Sequence, residues 1–170
     1  MERLLQRKHD LIFDSINVKI GYDRIVQMWH EDTYDLSGRD YFVSREGKYL
    51  ATMLKHIPSD ETHMHVSVHH PRRGKASAKR LLKELTDEWG ADADGVFIHG
   101  DFNDSARNLK FDGMQCAISG GTTTTQHGTQ CDNIIAPDGC RFDDVSISPD
   151  APYSHYPISC QVSLPSFACI

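Results

Sequence analysis

Apolar and polar residues alternate most regularly between His63 and His69. Met64, Val66 and Val68 share one side of this segment, and polar residues occupy the positions between them. A period of two residues is typical of a β-strand that buries one face. The pattern therefore predicts a half-buried strand whose polar face, including His63 and His65, is directed toward solvent.

A helical period follows over Lys75–Trp89, where apolar residues recur three and four positions apart. The next apolar segment is Gly95–His99, which is short enough to be a strand. This order predicts a βαβ-like unit with parallel strands, whose ligand groups gather at the carboxyl ends of the strands. His69–His70 and Asp101–Asn103 fall at those two ends.

Short apolar segments separated by turn residues predict the other strands. A strand pair is expected in the first 30 residues, and more strands on both sides of the βαβ-like unit. The low-complexity segment Gly120–Thr125 is predicted to be a surface connection. Many strands with one long helix favour an α+β sandwich over a doubly wound sheet. The remaining predicted strands are Leu11–Phe13 with Ile16–Ile20, Arg24–Trp29, Tyr41–Val43, Tyr49–Leu54, Cys131–Ala136, Phe142–Ile147 and Pro157–Leu164.

The composition is that of one ordinary globular domain, which we expect to span residues 1–170. Hydrophobic residues make up 39% of the chain and charged residues 25%, and no apolar run approaches the roughly 18 residues that a membrane helix needs. The charged N-terminus lacks the apolar core of a signal peptide, so an intracellular protein is expected. The five cysteines lack the Cys-x-x-Cys spacing of a structural zinc site, and free thiols are predicted.

The net charge of −6 is unevenly distributed. Residues 1–85 contain 15 Lys or Arg and 12 Asp or Glu, whereas residues 86–170 contain 3 and 12. The basic side chains cluster after His69–His70, beginning with Arg72 and Arg73. Such a cluster can attract a nucleic-acid backbone, or it can simply solvate the outer face of a helix. The acidic half is the place where a metal ion among carboxylates would be expected.

Four short segments place polar groups at predicted strand ends: VSVHHP (66–71), IHGDFND (98–104), CDNI (131–134) and YSHYPIS (153–159). Asp101 and Asn103, two residues apart, point the same way; the carboxylate suits a divalent cation and the amide a phosphate oxygen. Two other interpretations remain for single motifs. The GDFND segment also occurs as an ordinary turn, and His155 also fits a hydrogen-bonded loop histidine.

Another phosphoesterase class shares part of one motif. GDFND, through Asp104, matches the Gly-Asp-x-x-Asp pattern of calcineurin-like phosphoesterases. That class also carries Gly-Asn-His and Gly-His-x-His motifs, which this sequence lacks. The calcineurin-like interpretation is therefore the weaker one.

In their order along the chain, the four segments resemble the endonuclease/exonuclease/phosphatase superfamily, which has the DNase I-like fold. The resemblance implies an α+β fold in which a two-sheet β-sandwich is flanked by helices, giving four layers, αββα. It also implies hydrolysis of phosphodiesters with Mg²⁺ (or Mn²⁺), most naturally by a nuclease with DNA or RNA as its substrate. The substrate itself is not encoded in any motif of the sequence.

The same resemblance implies a role for each site residue. His155 corresponds to the general base that activates water, and Asp132 to the carboxylate that holds it. Asp101 corresponds to a metal ligand, while His69, or His70 in the adjacent register, and Asn103 correspond to groups that bind the substrate phosphate. Arg72 and Arg73 are expected to assist in phosphate binding.

Departures from the superfamily pattern support a second hypothesis. Ser154 stands where the superfamily has an Asp, and Gln130 where it often has an Arg. The superfamily also has an early Asn and a Gln-Glu metal motif, and Asn17 and Glu31 stand too close together to match them with the intervening helix. We therefore expect a domain truncated on its N-terminal side. In one form of this hypothesis, another chain completes the domain. The alternative function is a catalytically degenerate member that serves as a binding or structural subunit.

Overall fold

The computed structural model describes residues 13–20, 23–44, 49–70, 83, 87, 90–104, 109, 111–150, 152 and 154–164. Ten β-strands and one turn of 3-10 helix, Gly90–Asp92, lie within these residues. The strands are β1 Phe13–Ile20, β2 Asp23–His30, β3 Tyr34–Ser44, β4 Tyr49–His56, β5 Glu61–His69, β6 Gly95–Asp101, β7 Met114–Cys116, β8 Asp132–Pro137, β9 Arg141–Ile147 and β10 Ile158–Ser163.

Six of these strands form one sheet in the order β3-β4-β5-β6-β8-β7. β5 and β6 are parallel, as the βαβ-like pattern predicted, and the other neighbours are antiparallel. The helix predicted over Lys75–Trp89 lies almost entirely outside the described residues. Its two described positions, Lys83 and Asp87, are both helical and form an ion pair of 2.6 Å.

One face of the sheet carries the main apolar core. Alternate residues of β4, β5 and β6 point to this face, where residues with little or no exposed surface pack together. Phe102, which follows β6, is fully buried among them. The alternation that predicted β5 therefore identifies its core face correctly. The central members of this core are Tyr49, Ala51, Met53, Met64, Val66, Val68, Ile98, Phe102, Leu109 and Ile135.

Two antiparallel hairpins, β1–β2 and β9–β10, pack against the opposite face. The first contacts the sheet through Ile25 and Leu50, and the second through a cluster that includes Phe97 and Ala136. Because the hairpins cover this face, β5 is buried on both sides. The described residues thus form the two β-layers expected of an α+β sandwich.

A buried polar contact joins β2 to the sheet. The Gln27 amide nitrogen donates to the carbonyl oxygens of Leu50 and His65, at 3.0 Å each. The Thr52 hydroxyl donates to the Gln27 side-chain oxygen at 2.5 Å. Since Gln27 and Thr52 are both buried, satisfying all of these groups avoids the cost of burying an unpaired amide or hydroxyl.

The structure corrects two expectations about exposure. His63 is only 1% exposed and the ring nitrogen Nε2 of His65 is buried, so the polar face of β5 is not directed toward solvent. Thr124 and Thr125, the end of the loop predicted to lie at the surface, are also buried. Within the described residues, the sequence pattern also missed β7 and the first part of β3.

No helix of the described residues is long and apolar enough to cross a membrane.

Candidate active site

Three of the predicted site residues form a row across the end of the main sheet. His69 of β5 pairs with Asp101 of β6, and Asp101 pairs with Asp132 of β8. Residues paired in this way across neighbouring strands point to the same face of a sheet. The strand register therefore brings together groups that are separated by more than 60 residues in the chain.

Gly100 allows β5 and β6 to approach each other closely just before Asp101. Its φ is +126°, a conformation that favours glycine. A Cβ atom built on Gly100 would lie 2.2 Å from the carbonyl oxygen of Val68. The glycine of the GDFN motif is thus required by the backbone around the site.

The residues after Gly100 fix the Asp101 side chain. The backbone N–H of Asn103 donates to Asp101 Oδ1 at 2.7 Å, and the Asn103 amide nitrogen lies 3.1 Å from Oδ2. The same amide donates to the carbonyl oxygen of His70 at 2.5 Å. Asn103 has a φ of 48°, a left-handed conformation that Asn tolerates better than most residues. In this structure Asn103 therefore positions Asp101 and joins the ends of β5 and β6.

His155 and Asp132 form a hydrogen-bonded pair. His155 Nδ1 lies 3.0 and 3.1 Å from the two carboxylate oxygens of Asp132. A carboxylate accepts hydrogen bonds, so the proton of the neutral imidazole is on Nδ1 and the lone pair is on Nε2. Nε2 in turn lies 3.9 Å from Asp101 Oδ2. The imidazole of His155 thus lies between the two carboxylates, with its basic nitrogen toward Asp101.

A hydroxyl from the Gly120–Thr125 loop completes the contacts of Asp132. Thr124 Oγ1 donates to Asp132 Oδ2 at 2.9 Å and accepts from the backbone N–H groups of Cys131 and Asp132. The backbone of the same loop is bonded to the segment that carries His155, since Tyr156 N–H donates to the Thr124 carbonyl at 2.8 Å. Thr124 therefore positions both members of the pair. The sequence contained no signal for it, because each residue of a Thr run looks alike.

Burial controls the electrostatics of this pair. Removal from water raises the pKa of Asp132 above its ordinary value, and the hydrogen bond from Thr124 and the interactions with His155 only partly offset this effect. A carboxylate that is poorly solvated is a strong acceptor for the N–H of a neighbouring imidazole. The environment thus favours a His155 ring held in one tautomer.

A divalent cation fits the donor set at the end of the row. Asp101, Asp132 and His155 each offer a ligand atom, and these atoms lie within 4.8 Å of one another. Carboxylate oxygens suit Mg²⁺ or Mn²⁺, which bind to one or two carboxylates together with substrate phosphate and water. Because Asp132 and His155 are already paired, Asp101 is the best placed of the three to be the direct ligand.

The structure also distinguishes between the two adjacent histidines. His69 Nε2 lies 3.6 Å from Asp101 Oδ2, so its side chain belongs to the row. His70 contributes its backbone, with its N–H donating to the Asp101 carbonyl at 2.7 Å. Arg72 and Arg73 lie outside the described residues, and their part in phosphate binding stays a prediction.

Glu31 lies at the other end of the molecule. It borders a cleft with Lys55 and Asp60, beside the turn that joins β4 to β5, whereas His69 lies at the opposite end of β5. The structure thus agrees with the expectation that Glu31 is not the superfamily's metal-binding glutamate. Two carboxylates, those of Asp101 and Asp132, reach the site from the described part of the chain.

A two-layer sandwich with these strand connections is the DNase I-like fold. Comparison with solved structures gives the same fold. The catalytic domain of human Nocturnin matches with a TM-score of 0.69 at 16% identity, over 96% of this chain and 75% of that one.

Two bacterial structures match about as well. An endonuclease/exonuclease/phosphatase from Bacteroides vulgatus gives a TM-score of 0.68 at 14% identity, over 96% of this chain and 80% of that one. A mannosyl-6-phosphatase from Bacteroides thetaiotaomicron gives 0.65 at 14% identity, over 89% and 77%. No family model and no curated protein matches the sequence. The similarity is therefore one of fold, as expected at these identities.

Proposed function

We propose that the protein is a divalent-metal-dependent phosphodiesterase that hydrolyses nucleic-acid phosphodiester bonds. The observation that carries the proposal is the pair of His155 and Asp132 placed beside Asp101. Asp132 holds the His155 ring, and the free Nε2 is directed toward the carboxylate that best suits a metal.

His155 acts as the general base. Its Nε2 accepts a proton from a water molecule, whose oxygen forms a new bond to phosphorus as the ester P–O bond breaks. The leaving oxygen takes a proton from solvent. Asp132 stabilises the imidazolium that forms, a contribution that belongs to the ~10²- to 10⁴-fold effect of general base catalysis.

The remaining residues of the row bind and orient the phosphate. His69 lies next to Asp101 and is 42% exposed, so its ring is accessible to a phosphate oxygen. A divalent ion, when bound by Asp101, neutralises phosphate charge as a Lewis acid. Asn103 keeps Asp101 in place, and Arg72 and Arg73 supply positive charge toward the nucleic-acid backbone.

The proposal is tested by incubating the purified protein with plasmid DNA, single-stranded RNA and bis(p-nitrophenyl) phosphate, with Mg²⁺, Mn²⁺ or EDTA. We expect a nucleic acid to be cleaved, and we expect EDTA to abolish this cleavage. His155→Ala and Asp101→Asn should each reduce the rate by at least about 100-fold. His127→Ala, a change at an exposed histidine, is the matched control and should retain the rate of the unmodified protein.

Other outcomes would contradict the proposal. Cleavage that is unchanged by His155→Ala would place the chemistry elsewhere or in a contaminant. Hydrolysis of p-nitrophenyl phosphate or mannose 6-phosphate alone would make the protein a phosphomonoesterase. Tight binding of nucleic acid without cleavage would support the degenerate binding subunit instead.

A further inference from the structure

A second group of metal-ligating side chains lies at the β4–β5 hairpin. His56, Glu61 and His63 each offer one ligand atom, and these atoms lie within 4.8 Å of one another. His56 pairs directly with Glu61 at the end of the ladder, and His63 follows Glu61 by two residues on the same face. From the rise of a strand, the group is about 20 Å from His69. It is therefore separate from the candidate active site.

We propose that His56, Glu61 and His63 form a Zn²⁺ site. Two imidazoles and one carboxylate are a ligand set that zinc uses in proteins, whereas Mg²⁺ and Ca²⁺ prefer oxygen ligands alone. Three protein ligands leave a fourth tetrahedral position for water. The site rests on the three residues of one hairpin and is independent of the phosphodiesterase proposal.

The hydrogen bonds around His56 leave one of its nitrogens suited to a metal. The Ser59 hydroxyl donates to Glu61 Oε2 at 2.8 Å, so its proton is already used. The contact of 2.6 Å between His56 Nδ1 and Ser59 Oγ is then a bond donated by the histidine. A neutral His56 therefore carries its lone pair on Nε2, which is the form that binds metal ions.

His63 has a hydrogen-bonding partner on each ring nitrogen. Tyr34 Oη lies 3.0 Å from His63 Nδ1, while His63 Nε2 lies 3.2 Å from Glu61 Oε2. The Glu61 carboxylate accepts a hydrogen bond, so the proton of a neutral His63 is on Nε2. Zn²⁺ binding at Nε2 would displace this proton, and a ring with its proton on Nδ1 would donate to Tyr34 Oη, the kind of partner that orients a metal-bound histidine. The His56 and His63 rings are stacked, with centroids 5.1 Å apart and planes inclined by 19°.

The surrounding charge favours a cation. The Asp94 carboxylate accepts a hydrogen bond of 2.8 Å from the N–H of Thr62, between the two β5 ligands. The nearest described lysine of the hairpin, Lys55, is paired with Asp60 at 2.9 Å. A divalent ion bound by these residues would replace the hydrogen bond between Glu61 and His63 with two ligand bonds, and would stabilise the β4–β5 turn.

Cobalt titration tests the site, since Co²⁺ replaces Zn²⁺ and absorbs visible light in a tetrahedral site. We use Asp101→Asn as the background, which removes the best ligand of the candidate active site. One equivalent of Co²⁺ should bind with visible absorption and be displaced by Zn²⁺. His56→Gln or Glu61→Gln in that background should weaken binding at least about tenfold, and Tyr34→Phe by about 10- to 100-fold.

The controls decide between a metal site and a hydrogen-bonded core cluster. His127→Gln in the same background should bind Co²⁺ unchanged, and circular dichroism of every variant checks that it is folded. Unchanged binding in folded His56→Gln and Glu61→Gln proteins would overturn the proposal. Loss of the absorption in Asp101→Asn alone would overturn it as well, because the ion would then belong to the candidate active site.

Discussion

The hydroxyl of Thr124 donates a hydrogen bond of 2.9 Å to the carboxylate of Asp132. The bond connects a loop to a strand of the main sheet and fixes the oxygen that His155 also contacts. The orientation of His155 therefore depends on a residue that touches neither substrate nor metal in the proposed mechanism.

Replacing Thr124 should show whether this residue only stabilises the fold or also positions Asp132 and His155. In Thr124→Val the shape is kept, but Asp132 and the N–H groups of Cys131 and Asp132 lose a buried partner, which costs about 1–3 kcal/mol of stability. Thr124→Ser should restore most of the loss. We expect kcat for plasmid cleavage to fall in Thr124→Val, with its pH profile displaced, and to recover in Thr124→Ser. An unchanged pH profile in a folded Thr124→Val protein would contradict this role.

Asp132 should show opposite effects on activity and stability. Its raised pKa means that the folded protein disfavours the carboxylate relative to the unfolded chain. Asp132→Asn removes that charge, so the melting temperature at pH 7 should stay equal or rise. Activity should fall by about 10²- to 10⁴-fold because His155 loses its acceptor. A large drop in melting temperature would show that the charge itself stabilises the fold.

Gly100 should tolerate no side chain. Gly100→Ala places a Cβ 2.2 Å from the Val68 carbonyl in a backbone conformation that alanine rarely adopts, so β5 and β6 must move apart at the row of site residues. We expect the loss of both activity and several degrees of melting temperature. Gly121→Ala is the matched control, since Gly121 also has a positive φ and no atom within 4 Å of its added Cβ. Equal effects in the two variants would mean that backbone strain, and not the close approach, is responsible.

Two histidines should make the fold sensitive to acid. Burial lowers the pKa of His65 to about 3 and that of His99 to about 4. Below pH 6.5 the unfolded chain takes up protons at these positions and the folded protein does not, so stability falls as pH decreases toward those values. Each histidine contributes about 1.4 kcal/mol per pH unit in this range.

Urea unfolding at pH 7, 6 and 5 measures this effect. The free energy of unfolding should decrease as the pH is lowered. His65→Gln or His99→Gln should each reduce this pH dependence by the contribution of one proton. His127→Gln should keep the full slope, because that histidine is exposed. If the two buried variants keep the same slope as the unmodified protein, other groups must cause the acid sensitivity.

The sequence predicted most strands of the described region because their patterns are local. The alternation of Met64, Val66 and Val68 is enough to define β5 and its core face. The burial of His63 and His65 could not be predicted in the same way, since it depends on β2 packing across the sheet through Gln27, more than 30 residues away. Alternation tells which residues share a face, but the elements that cover each face are set by distant parts of the chain.

In the candidate site too, some features follow from local motifs and others depend on distant parts of the chain. Asp101, Asn103 and His155 were predicted because their motifs combine turn residues with polar groups at strand ends, and their roles stay predictions. The pairing of His69 with Asp101 depends on the parallel register of β5 with β6, which no local pattern contains. Thr124 lay beyond prediction for a similar reason, since its contacts with Asp132 and Tyr156 arise only after the loop closes over β8.

The parallel pairing of β5 with β6 has a consequence for the order of folding. β5 meets β4 across the short Ile57–Asp60 turn but reaches β6 only after residues 70–94 have been traversed, and the entropy of closing a loop increases with its length. The hairpin with His56 and Glu61 can therefore form early, while the row of His69, Asp101 and Asp132 must wait for the long-range pair. In pulse-labelled hydrogen exchange, amides of β4 and β5 should become protected before those of β6, and the proposed nuclease activity should appear only with the later phase.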